Sequence, residues 1–239
     1  MGVYGPTSGA WFLKNTNSPG PATLAFGYGP VNSNLIPIDG DWDGDGDDTI
    51  GIYDPAASVF FLRDSNSPGP ANLMYSFGRA GSGWQPIAGD WDGDGTDTIG
   101  LYNPVLGTVF LRNVHAPGPS DLSFRFGPTN AGLQALAGDW DGDGDDTIGL
   151  FDPINSAFFL KNENRPGPAD LVFTYGPTGA GWTALAGDWD GNGTDTVGLY
   201  SPGSAAFFLR NASAPGPADV FFSYGAVNME PLAGDWDGL

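Results

Sequence analysis

Aspartate recurs at alternate positions in four short stretches: Asp41, Asp43 and Asp45; Asp90, Asp92 and Asp94; Asp139, Asp141 and Asp143; and Asp188 and Asp190, followed by Asn192. Each stretch is followed three residues later by a further carboxylate, Asp48, Asp97, Asp146 or Asp195, and Asp47 and Asp145 add two more. Carboxylates at positions 1, 3 and 5 of a loop can converge on one centre if a glycine at position 6 allows a sharp turn. Hard cations such as calcium are caged by oxygen in that way, with the position 7 carbonyl (Asp47, Thr96, Asp145 or Thr194) as a further ligand. Magnesium suits such a loop less well, because it tolerates irregular cages poorly. These loops and one incomplete copy hold 19 of the 26 Asp in a chain of net charge −20. Packed together without counter-ions they would repel one another. Up to four divalent ions would bring the formal charge to −12, and their role is expected to be structural.

The elements that must position these loops are repeats. Gly-Asp-Trp-Asp-Gly places its Trp at 42, 91, 140, 189 and 236, spaced by 49, 49, 49 and 47 residues. Each unit carries four short strand signals separated by Gly- and Pro-rich turns: A (134–139), B (147–151), C (157–161) and D (170–175) in one copy. Four strands in a unit of this length match a propeller blade. Residues 1–239 are therefore expected to form one all-β domain, a five-bladed β-propeller with four antiparallel strands per blade. Its acidic loops lie at 41–48, 90–97, 139–146 and 188–195, with an incomplete one at 235–238. The chain starts in a B strand and ends just after an A strand, so those two are expected to pair and close the ring. An open piece of a longer solenoid is the alternative. The cut inside one unit reads as excision from a larger protein or as an engineered permutation.

Phe126-Gly127, then Gly138-Asp139-Trp140-Asp141-Gly142-Asp143-Gly144, then Pro153, resembles the FG-GAP/VCBS repeat of integrin α-subunit propellers and many bacterial surface proteins. The likeness runs through the whole chain. It implies calcium in the loop between strands A and B, a bacterial surface or extracellular location, and carbohydrate or protein as ligand. Two departures stand out: the family commonly has seven blades, and its loop usually ends with Asp at position 9. Here position 9 is Thr49, Thr98, Thr147 or Thr196, and the carboxylate has moved to position 8. Either the loop closes early on that Asp, or Thr supplies a neutral oxygen or holds a water. A structural alternative pairs position 8 with the cation ending strand C: Arg63, Arg112, Lys161 or Arg210.

The remaining composition narrows the functional classes. With 28 acidic against 8 basic residues, nucleic acid and anionic membrane surfaces are poor partners. The absence of Cys removes disulfides and thiol chemistry, and no apolar run is long enough to insert in a bilayer. From Met1-Gly2-Val3-Tyr4 no signal peptide is expected in this sequence, and a monomer is expected. The B–C and D–A loops vary most between units, so a ligand is expected on their face. Trp84 and Trp182 there form either a sugar-stacking platform at the channel mouth or an apolar plug. The Trp of each acidic loop reads as a wedge between blades rather than a sugar platform. Gly51, Gly100, Gly149 and Gly198 suggest close approach near the axis. An enzyme is not expected: a glycosidase needs a close carboxylate pair, and Glu230 is the one candidate on an inner strand. The single histidine, His115, is expected to be exposed and without function.

Overall fold

The computed structural model describes residues 1–238; Leu239 lies outside the described residues. The chain opens with β1 (Gly2–Gly5), β2 (Ala10–Leu13) and β3 (Leu24–Gly27). Blade 1 follows as β4 (Ile36–Gly40), β5 (Thr49–Asp54), β6 (Val59–Leu62) and β7 (Leu73–Ser76). Blade 2 is β8 (Gln85–Gly89), β9 (Thr98–Asn103), β10 (Thr108–Leu111) and β11 (Leu122–Arg125). Blade 3 is β12 (Gln134–Gly138), β13 (Thr147–Asp152), β14 (Ala157–Leu160) and β15 (Leu171–Thr174). Blade 4 is β16 (Thr183–Gly187), β17 (Thr196–Ser201), β18 (Ala206–Leu209) and β19 (Val220–Ser223), and β20 (Glu230–Leu232) completes the chain. The protein is a five-bladed β-propeller, each blade a four-stranded antiparallel sheet, with no helix among the described residues.

Blade 5 joins the two ends in the order β20-β1-β2-β3, with Gly2 opposite Leu232, Val3 opposite Pro231 and Tyr4 opposite Glu230. The expected ring closure is thus present, and it pairs two strands that would otherwise be open edges. Trp236 reinforces the joint by donating from Nε1 to the Met1 carbonyl at 3.0 Å. The innermost strands β4, β8, β12, β16 and β20 stand around a central channel, each beside the next. Gln85 and Gln134 tie neighbours there by imitating a peptide group. Gln134 Nε2 donates to the Ala184 carbonyl at 2.8 Å, and the Ala184 amide returns a bond of 2.9 Å to Gln134 Oε1.

Burial explains the strand compositions. The B strands read as continuous apolar runs because both faces are covered by adjacent blades; every residue from Thr49 to Tyr53 is buried. The C strands alternate, with Phe60 and Leu62 buried and Val59 and Phe61 half-buried. The core is divided into interblade layers, one of which joins Trp42, Phe60 and Leu62 of blade 1 to Ile99 and Leu101 of blade 2. Trp42, Trp91, Trp140 and Trp236 are 2–4% exposed within such layers, so these indoles are wedges between blades and not sugar platforms. Gly51 is crowded by side chains of its own blade, not by the axis. A methyl there would lie 2.8 Å from Leu62 Cδ2 and 2.9 Å from Ile38 Cγ1.

Because Trp236 both fills a core layer and bonds Met1, Trp236→Ala should cost about 3–5 kcal/mol. Denaturant unfolding of the two chains checks this. A loss below about 1 kcal/mol would mean that the closing blade contributes little to stability.

Candidate functional site

The A–B loops are folded around their first aspartate. Asp41 Oδ1 accepts the amides of Gly44 (2.8 Å) and Asp45 (3.2 Å), and Oδ2 accepts that of Gly46 at 2.8 Å. Asp139 repeats the pattern at 2.7, 3.2 and 2.9 Å. Asp90 takes Asp94 and Gly95, and Asp188 takes Gly191 and Gly193. Gly44 and Gly46 adopt φ of 74° and 93°, the left-handed region that turns successive amides inward. Position 5 then accepts the position 7 amide, from Asp45 to Asn192 alike, which explains why Asn suffices in the fourth loop.

In this geometry positions 1, 3 and 5 converge. Asp41, Asp43 and Asp45 each offer one oxygen within 4.8 Å of the others, as do Asp90, Asp92 and Asp94, and Asp139, Asp141 and Asp143. Two oxygens bound to one calcium ion lie at most about 5 Å apart, so each trio fits a shared cation. In the fourth loop Asp188 and Asp190 are joined by Asn192. Position 7 leans across to the preceding loop. A methyl on Gly44 would lie 3.0 Å from Thr96 Oγ1, and one on Gly142 would lie 2.9 Å from Thr194 Oγ1. Asp47 thereby meets Asp235 and Asp237, and Asp145 meets Asp90 and Asp92; desolvation first, then the position 5 carboxylate of the same loop (Asp45 or Asp143) and these neighbours, raise both pKa values.

Position 8 does something else. Asp97 Oδ2 accepts the Asp41 amide at 3.0 Å, while the Asp97 amide donates to the Asp41 carbonyl at 2.7 Å. The same two-bond clamp joins Asp146 to Asp90, Asp195 to Asp139 and Asp48 to Asp235. Each position 8 carboxylate thus grips the first residue of the preceding blade's loop and stands apart from the trio of its own. Gly40 is needed for this approach, since a methyl there would lie 2.8 Å from Asp97 Oδ2. Asp188 has no such clamp among the described residues, so four of the five joints carry one.

The other two expectations for this end of the loop are corrected. Thr49, Thr98, Thr147 and Thr196 donate their hydroxyls to the carbonyls of Arg63, Arg112, Lys161 and Arg210 at 2.6–2.7 Å, turned into the blade. The cations do not pair with position 8. Arg112 reaches Asp121 at 3.3 Å, Lys161 Asp170 at 3.9 Å and Arg210 Asp219 at 2.9 Å, and they also bind carbonyls of the Pro-Gly-Pro turns. His115 is half-buried, not exposed: Nδ1 lies 2.9 Å from Tyr75 Oη, and the ring meets Trp42 edge-on at 6.2 Å. It takes the place of Asn66 and Asn164, whose amides donate to the Asp48 and Asp146 carbonyls, and burial lowers its pKa.

The four clamp carboxylates line a central cavity of about 650 Å³, together with Asp39. Burial drives their pKa values upward, and neighbouring carboxylates add to the shift. Asp48 and Asp195 are pushed up to about 7 and Asp146 to about 8, while Asp97 and Asp39 are held well above the usual range. Asp39 was missed in the sequence, although it stands where the other inner strands carry Ala88, Ala137, Ala186 and Ala233. The cavity also touches Met1, Asn15, Asn17, Asp188 and Trp189, at the joint without a clamp.

Trp84 and Trp182 do not line this channel. They are half-buried between blades, stacked on Phe110 (centroids 4.8 Å, 7°) and on Phe208 (4.5 Å, 15°). Glu230 is exposed at the end of β20 and is likewise not part of the cavity lining. The chain matches no protein-family model and no curated protein.

A carboxyl with a raised folded pKa keeps a proton that the unfolded chain has lost. Stability of the cation-free chain should therefore fall as pH rises from about 4 to 8. Melting should occur about 5 °C or more higher near pH 5 than near pH 8, as thermal scans in chelator will show. Asp97→Asn keeps the acceptor but loses the charge, and should raise stability at the higher pH. Asp97→Ala orphans the Asp41 amide and should lower stability by about 1–3 kcal/mol.

Proposed function

We propose that the protein is a calcium-stabilised, non-enzymatic binding module of the FG-GAP/VCBS kind, working outside the cell or on a bacterial surface. One observation carries the calcium: the convergence of three carboxylate oxygens in each of three consecutive loops within the span of one ion. Positions 1, 3 and 5 would hold the ion, and in the fourth loop Asn192 would make the site weaker. The ion would neutralise a loop already folded on its own amides, a structural rather than a chemical task.

The ligand is assigned to the face of the B–C and D–A loops, opposite the acidic rim. Carbohydrate is the first class and protein the second, with Trp84 and Trp182 as half-buried aromatic contacts. A glycosidase reading would rest on Glu230 alone, and no carboxylate partner favours it.

Adding about 10 mM calcium to chelator-treated protein should raise the melting temperature by about 5 °C or more, since saturation of even weak sites contributes a few kcal/mol. Asp43→Ala, Asp92→Ala or Asp141→Ala should each remove one ion from the measured stoichiometry. An unchanged melting temperature with calcium and chelator would refute the metal assignment. Glycan-array binding that disappears in both Trp84→Ala and Trp182→Ala would support the carbohydrate class; equal binding by all three chains would exclude this face.

A further inference from the structure

The repeats differ at one place where the difference leaves space. The residue just before each inner strand is Leu35, Trp84, Leu133, Trp182 or Met229. Trp84 lies flat on Phe110 beside Gly78, and Trp182 lies flat on Phe208 beside Gly176. In blade 3 the equivalent ring is Phe159 and the equivalent glycine is Gly127, but the side chain between them is Leu133. A cavity of about 240 Å³ results, bounded by Phe126, Gly127, Leu133, Leu150 and Phe159.

Blades 1 and 5 are closed differently. Met229 reaches into its own groove, its Sδ 3.3 Å from where a Cβ on Gly225 would stand. Leu35 is as short as Leu133, but there Tyr28 replaces Phe126, and its hydroxyl donates to the Phe61 carbonyl at 3.1 Å, tying that ring across the groove. Phe126 has no hydroxyl to make such a tie.

We propose that the groove between blades 2 and 3 is a binding site for a small, uncharged, planar aromatic molecule of about indole size. The two sister blades carry such a group in the same surroundings as part of their own chain, stacked on the ring equivalent to Phe159. The volume exceeds the roughly 150 Å³ that suffices to take up benzene in an apolar cavity. The walls are mainly apolar, with Asp152 the one charged residue of the lining, and a flat ring can lie offset on Phe159 as the two indoles do on theirs. The site is independent of the acidic loops and of any cation they hold.

Indole itself is the probe. Calorimetry on the intact chain should give one indole per chain, bound at least about tenfold more tightly than cyclohexanol, which cannot stack. The Leu150 methyl resonances should shift on titration and those of Ile52 should not. Leu133→Trp installs the sister-blade solution: it should melt no lower than the parent and bind indole at least about tenfold more weakly. Trp84→Leu opens the blade 2 groove, where Phe77 stands in the place of Phe126 and likewise lacks a hydroxyl, and should bring the stoichiometry to two. If Leu133→Trp were to unfold, Phe159→Leu tests the same stack and should weaken indole by a similar factor. Absence of binding by the parent chain, equal binding by Leu133→Trp or Phe159→Leu, or shifts at Ile52 in place of Leu150 would each overturn the assignment.

Discussion

The acidic rim depends on how a ring of carboxylates is held so that it does not drive the blades apart. Each position 8 aspartate meets this constraint by turning away from its own loop and taking the amide of the preceding blade's first aspartate, at 2.6–3.2 Å. The bond that it accepts is charge-assisted when the group is ionised and remains a hydrogen bond when it is not. The carbonyl of the same residue accepts the clamp aspartate's own amide, so two bonds cross each of the four clamped joints. A buried acceptor without such a donor would cost more than the clamp contributes.

From this joint the rest of the rim follows. With its backbone gripped from the next blade, the first aspartate is free to gather three amides with its side chain, and this folds the loop so that positions 3 and 5 face the same centre. The short side chain of Asp explains the composition: a Glu at position 1 would overshoot the amides of its own turn, and one at position 8 would overshoot the amide of the preceding loop. Threonine at position 9 and the cation ending strand C then secure the base of the loop and the neighbouring Pro-Gly-Pro turn. The cost is a set of carboxyls lining the channel with raised pKa values. Asp188, without a clamp among the described residues, lies at the joint where the cavity reaches Met1 and Asn15.

Much of this was legible in the sequence because the repeat makes each element its own control. The strand bounds in blade 3 agree with the expected ones to within one residue, since Pro and Gly mark every turn and the D strands alternate cleanly. The closure of β20 on β1 followed from counting strands, and the wedge role of Trp42 followed from its recurrence. The direction of Asp97 was not legible, because it is set by a peptide 56 residues away in another blade. Trp84 belongs to the same class of error: it was assigned to the channel mouth from its place in the chain, but the ring of Phe110 draws it between blades. His115, expected to be exposed and without function, is half-buried in the position that Asn66 and Asn164 fill with hydrogen bonds to a clamp residue.

The interblade clamp can be measured directly by amide hydrogen exchange, one residue at a time, on cation-free protein. The amides of Asp41, Asp90, Asp139 and Asp235 should exchange slowly, since each is bonded to a half-buried carboxylate, whereas that of Asp188 should exchange at close to the rate of an open loop. Fast exchange at all five, or equal protection at Asp188, would contradict the clamp as the interaction that organises the rim.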